Sequence, residues 1–159
     1  MIKIKAREEI VLCKKCARPV KFYYLSDFTY GARLILVNNG KEYAYINLFE
    51  DKVFSEFEEM LKDYLNTNGI EINNKDFYKL MDTVFGITCD DIKGHSVNFD
   101  DEMKKCINCG SIEFDDNLLE PDKIVTASFY EITHVNWEKF NYLEKENLLK
   151  KAMNSLINI

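Results

Sequence analysis

An α+β fold is predicted from three features of the 159-residue sequence. Strand-like segments stand near the start and again in the last third. Helical periodicity fills much of the middle and the C-terminus. Two matched cysteine pairs, Cys13–Cys16 and Cys106–Cys109, bracket an inserted β-hairpin and two helices. Hydrophobic residues make up 47% of the chain, enough for a sizeable core, and two Pro with six Gly leave no obvious linker, so residues 1–159 are expected to form one compact domain.

The elements follow in order. Ile2, Ile4 and Ala6 alternate with polar residues and lead into Ile10-Val11-Leu12, a strand ending at the first cysteine pair. Pro19 discourages a helix, and Val20 to Leu25 reads as a second strand. Arg33–Val37 and Glu42–Leu48 flank Asn38-Asn39-Gly40-Lys41, a hairpin signal because Asn and Gly tolerate positive φ. The period then changes: Val53, Phe54, Phe57, Met60, Leu61, Tyr64 and Leu65 recur at helical spacing. Ser55 and Glu58 have capping-box spacing, and Gly69 is a stop. A second helix is expected over Lys75–Phe85, capped by Asn74, with Phe77, Leu80, Met81 and Val84 inward and Gly86 at its end. Ile87–Lys105 is polar and has no clear period. Ser111–Phe114 and Lys123–Thr133 read as strands joined by an acidic turn with Pro121. A C-terminal helix is expected over 136–157, capped by Asn136, with Trp137, Phe140, Leu143, Leu148, Ala152 and Leu156 as its apolar stripe.

The cysteine pairs carry the strongest chemical signal. Two residues between cysteines let one tight turn aim both sulfurs at the same ion, and four thiolates complete a tetrahedron. Cys13, Cys16, Cys106 and Cys109 are therefore read as one structural Zn2+ site. The ligand set alone also suits iron, and two redox-active pairs or a metal shared between two chains are weighed against it. Cys106-Ile107-Asn108-Cys109-Gly110 resembles the knuckle of the zinc-ribbon and rubredoxin-like fold group. Ala17 follows the first pair where Gly110 follows the second, a poorer match. The resemblance implies a metal and a local fold: a split zinc ribbon with half-sites around 10–25 and 104–115, an insertion spanning 28–99, and the C-terminal helix. Cys16 and Cys106 stand 90 positions apart, where an uninterrupted ribbon has roughly 15–20, so the metal would act as a long-range clasp.

Charge narrows the function. A net charge of −6 and a pI near 5.0 disfavour bulk attraction to phosphate backbones and anionic membranes. Lys14, Lys15, Arg18, Lys104 and Lys105 nevertheless crowd the cysteines, and neutralising a doubly negative zinc–thiolate centre explains them better than a nucleic-acid patch does. No apolar run reaches membrane-spanning length, the N-terminus lacks a signal-type apolar segment, and unpaired cysteine usage suits a reducing, cytoplasmic compartment.

No catalytic constellation assembles. Cys89 lies between Thr88 and Asp90, and only His95 and His134 could serve it as a base, so it reads as a small buried side chain. The acidic clusters Glu56-Glu58-Glu59, Asp90-Asp91, Asp100-Asp101-Glu102 and Asp115-Asp116 read as solvated faces and turns. No phosphate loop, nucleophile elbow or zinc-protease helix motif is present. The expectation is a zinc-stabilised protein that binds a macromolecular partner, an adaptor or inhibitor with a protein partner. Nucleic-acid binding is the alternative, and an enzyme using the inserted segment comes third.

Overall fold

The computed structural model describes residues 1–100 and 104–157. A six-stranded sheet runs β2-β1-β6-β4-β3, with β5 also beside β1. β1 (Ile2–Cys13) is its spine. It pairs antiparallel with β2 (Pro19–Leu25) on one side, while on the other β6 (Lys123–Glu131) takes its first half and β5 (Phe114–Leu118) its end. The hairpin of β3 (Ala32–Leu36) and β4 (Tyr43–Asn47) is no appendage. β4 joins β6 in parallel, Ala44 opposite Tyr130 and Tyr45 opposite Glu131, which carries the inserted segment into the same sheet as the cysteine strands.

The sheet has two working faces. On β4, Ala44 and Ile46 point to the helices, while Tyr43 points the other way, as the period of two requires. Tyr43 packs there with Ala6 and Phe129, edge-to-face against Tyr23 at 5.5 Å, and its hydroxyl accepts the Tyr23 amide at 3.2 Å. That contact ties an outer strand to the far side of the sheet and curls it toward closure. Glu8 is buried on β1 and is paired with Lys21 at 3.2 Å and Lys123 at 3.4 Å.

The larger core lies against the helical face. α1 (Lys52–Thr67) buries Val53, Phe54, Phe57, Met60, Leu61 and Leu65, and α2 (Asn74–Val84) buries Phe77, Met81 and Val84, as their spacing predicts. Each such side chain contributes roughly 1.5–3 kcal/mol by leaving water. The caps differ from expectation. Asp51, not the Ser55–Glu58 pair, caps α1, accepting the Phe54 amide at 2.7 Å. Asn73, not Asn74, caps α2, accepting the Asp76 amide at 3.0 Å. Both accept the amide of the third helical residue, the geometry of an N-cap oxygen.

The C-terminal helix is two helices. α3 (Val135–Glu138) ends after one turn, and α4 (Tyr142–Ile157) starts anew. Asn141 and Glu144 form the restart, each accepting the other's amide, at 2.9 and 2.8 Å, in a reciprocal capping box. The break rotates the stripe. Lys145, Leu149 and Met153 face inward on α4, while Phe140, Leu143 and Leu156 are exposed. The expected turn at Asp115-Asp116 is instead part of β5. Asp101 and Glu102 of the third acidic cluster lie outside the described residues.

Candidate metal centre

Each cysteine pair is held in the same knuckle. In the first, the Cys13 amide donates to the Arg18 carbonyl at 3.0 Å and the Ala17 amide donates back to Cys13 at 2.9 Å. In the second, Cys106 donates to Ser111 at 2.7 Å and Gly110 donates to Cys106 at 2.7 Å. Ala17 has φ 55° and Gly110 φ 74°, so the alanine adopts the left-handed turn that glycine adopts in its counterpart. The two knuckles are also tied together, the Lys14 amide donating to the Glu113 carbonyl at 3.0 Å. β1 thus delivers the first pair and the approach to β5 delivers the second.

The sulfurs converge. Cys13 Sγ lies 3.6 Å from Cys109 Sγ, and Cys16 Sγ lies 3.7 Å from Cys106 Sγ. All four ligand atoms lie within 4.8 Å of one another. Zinc–sulfur bonds of about 2.3 Å at tetrahedral angles place sulfurs about 3.8 Å apart, so the cluster fits the ion, and it is too open for a disulfide bond of about 2.05 Å. The four cysteines are positioned to coordinate a metal ion and are compatible with zinc. Among the described residues, no other group of three or more Cys, His, Asp or Glu is so arranged.

The thiols are not alike. Burial opposes ionisation of Cys106, yet the Asn108 and Cys109 amides and the Cys16 and Cys13 thiols bring its pKa down to about 6. Cys13 is also lowered, chiefly by the Cys16 amide. Burial pushes Cys16 up to about 11, with the neighbouring cysteines adding to the rise. Backbone N–H groups aimed at sulfur therefore favour thiolate at one member of each knuckle before a metal supplies its own charge. Around the centre, Val20 and Phe22 form a small apolar shell with Cys13 and Cys106, and Phe114 stands edge-on to Phe22 at 5.3 Å.

The basic residues divide. The Lys104 ammonium lies 3.4 Å from the centre of the Tyr24 ring and 5.1 Å from that of Phe22, a cation–π contact internal to the fold. Lys14, Lys15, Arg18 and Lys105 are exposed.

Cys89, His95 and His134 do not form a second metal group. His95 is exposed in a tight turn, its amide and carbonyl bonded to those of Ile92 at 3.0 and 2.9 Å. His134 is buried, and both ring nitrogens are engaged. Nδ1 donates to the Thr88 carbonyl at 2.9 Å, and Nε2 meets the Asp51 carboxylate at 3.1 Å. Burial opposes its charge, but Asp51, Cys89 and Thr88 hold its pKa at about 10. Although Cys89 is near enough to act on it, His134 has no free lone pair to take the thiol's proton. Asp90 is likewise committed, accepting from the Thr133 hydroxyl and from the Val135 and Asn136 amides at 2.7, 2.7 and 3.0 Å. Glu56 accepts from Trp137 Nε1 at 3.1 Å and from the buried Lys145 at 2.6 Å, joining α1 to the C-terminal helices.

A surface feature escaped the sequence reading. Phe28, Tyr30 and Phe49 are 84%, 73% and 71% exposed, far beyond ordinary aromatic residues. They touch one another: Phe28 stands edge-on to Tyr30 at 5.0 Å, and Tyr30 stacks over Phe49 at 6.5 Å. Phe28 and Phe49, each in contact with Tyr30, line a cavity of about 960 Å³ that also includes Leu25, Leu48 and Tyr78. The residues are scattered through loops, so no period marked them. No helix among the described residues is long and apolar enough to cross a membrane. No protein-family model, curated protein or solved structure matches the chain.

Proposed function

We propose that this chain is a protein-binding module clasped by one structural zinc ion, held by Cys13, Cys16, Cys106 and Cys109 in a split-ribbon arrangement. Four thiolates fill a tetrahedron and leave no position for water or substrate, which is the signature of a structural rather than a catalytic site. The paired knuckle geometry and the strands that leave each knuckle support the ribbon reading.

The observation that carries partner binding is the contiguous exposed stack of Phe28, Tyr30 and Phe49. Aromatic side chains of this exposure are costly to solvate and are enriched where a partner buries them. A second reading, nucleic-acid binding, draws on exposed Lys14, Lys15, Arg18 and Lys105. The aromatic stack does not serve that reading, because Asp27, Glu58 and Asp82 line the same cavity and repel phosphates.

A photo-crosslinking residue in place of Tyr30 tests the two against each other in native lysate. The expected product is a discrete protein adduct, lost in Phe28→Ser/Phe49→Ser and kept in Lys14→Glu/Lys15→Glu. The reverse pattern, with nuclease-sensitive adducts, would establish the nucleic-acid reading instead.

A further inference from the structure

The aromatic stack does not stand on a neutral surface. The cavity it borders is lined by three carboxylates, Asp27, Glu58 and Asp82, against one cation, Arg33. The pairing inside it is uneven. Glu58 holds Lys62 at 2.7 Å and accepts the Tyr78 hydroxyl at 3.0 Å. Arg33 reaches Asp82 only at 3.9 Å. Asp27 accepts the Ser26 hydroxyl at 3.2 Å, and no cation is bonded to it among the described residues. The pocket therefore combines exposed ring faces, apolar walls and surplus negative charge.

That combination selects its occupant. A guanidinium is planar, weakly hydrated and stacks on Phe and Tyr faces, while its edge pairs with carboxylates. A second copy of the chain is disfavoured, because a two-fold contact would set these carboxylates against themselves in a protein already carrying −6. A purely apolar segment would cover the rings and leave Asp27 desolvated without a cation.

We propose that the pocket beside Phe28, Tyr30 and Phe49 takes an arginine-bearing extended segment of a basic partner protein. The guanidinium lies on the exposed rings and pairs with the Asp27 side of the rim, and flanking aliphatic residues fill the space by Leu25 and Leu48. This inference rests on the protein-binding reading and adds the chemistry of the partner.

The test is a selection from a random heptapeptide phage library on the full, zinc-loaded chain, counter-selected on Phe28→Ser/Phe49→Ser. These two residues are exposed, and the variant is used once its melting temperature matches wild type. Patch-dependent peptides are expected to be enriched in arginine. A synthetic winner is expected to lose about tenfold in affinity, by fluorescence anisotropy, when its arginine becomes glutamate or when Asp27 becomes Asn. Patch-dependent peptides without arginine enrichment overturn this inference and leave protein binding standing. Failure to enrich any patch-dependent peptide overturns both.

Discussion

Ala17 and Gly110 are structural equivalents. Each closes its knuckle by donating its amide to the first cysteine of its pair, at 2.9 and 2.7 Å, and each does so at positive φ, 55° and 74°. Only the glycine adopts that conformation without strain. A left-handed alanine costs about 1–2 kcal/mol, of which the greater freedom of glycine in the unfolded chain offsets about 0.5–1 kcal/mol. Ala17→Gly is therefore expected to stabilise the protein by about 0.5–1 kcal/mol. Gly110→Ala is expected to cost about as much, because a β-carbon at Gly110 meets nothing within 4 Å and the effect is conformational alone. Thermal melts of zinc-loaded protein check both, with shifts of about 2–4 °C per kcal/mol at this chain length. Equal melting temperatures for all three proteins would contradict the equivalence.

The metal centre and the helical core are separate apolar clusters, so their responses to metal should separate. Val20, Phe22, Cys13 and Cys106 surround the sulfurs, whereas Phe57, Leu61, Phe85 and Trp137 belong to the core between helices and sheet. The small cluster has little hydrophobic support of its own, and structural zinc contributes about 10–16 kcal/mol in isolated peptides. Purified, reduced protein is expected to carry one zinc per chain. Stripping it with a chelator should accelerate hydrogen exchange at the Ala17, Cys106 and Gly110 amides while α1 stays protected. Protein that is metal-free as isolated, or unchanged exchange at these amides, would remove the clasp.

Much of this was legible in the sequence, for local reasons. The cysteine spacing announced the cluster because one turn fixes two ligands, and the stripes of α1 and α2 announced their buried faces because packing follows the helical period. Caps slipped to Asp51 and Asn73 because several Asp, Asn and Ser residues compete at each helix start, and only the approach of an amide to an oxygen decides among them. The split at Asn141 was written in its spacing to Glu144, but the apolar residues on either side masked it. His134 and Asp51 are 83 positions apart, and Tyr30 and Phe49 meet only through the fold. No local pattern encodes such pairs.

The buried His134–Asp51 pair gives stability a defined dependence on pH. His134 is held at about 10 against an ordinary value near 6.5, so folding favours its protonated form. That stabilisation is fully present below about pH 6.5 and is lost as pH rises through about 10. Asp51 is displaced downward: burial opposes its charge, but His134 and the Phe54 amide outweigh it, so its contribution disappears in acid. Asp90 and Cys89 also act on the imidazole, and Asp90 reinforces its charge. The melting temperature of zinc-loaded protein should fall between pH 6.5 and 10. His134→Gln should cost about 1–3 kcal/mol at pH 6 by leaving Asp51 without its cation, and should flatten the decline. An equal slope in wild type and variant would assign the pH dependence elsewhere.

Gly31 holds the aromatic stack together. It has φ 77°, and a β-carbon there would lie 2.7 Å from Asn47 Oδ1, 2.8 Å from the Phe49 ring and 2.9 Å from the Phe49 amide nitrogen. The close approach lets the Gly31 carbonyl accept the Leu48 amide at 2.8 Å and brings the Phe28–Tyr30 loop against Phe49. Gly31→Ala combines a left-handed alanine with a clash against backbone, and is expected to cost about 2–4 kcal/mol. Gly110→Ala, with the same change of φ preference but open space, is the control that isolates the clash. The difference between the two should appear both as a lower melting temperature and as chemical-shift changes at Tyr30 and Phe49. Melting temperatures within a degree of each other would mean that the loop yields freely and that the rings are not preorganised. A patch built to receive a partner gains affinity from being rigid beforehand, so loss of ring order in Gly31→Ala should also weaken peptide binding without removing any aromatic side chain.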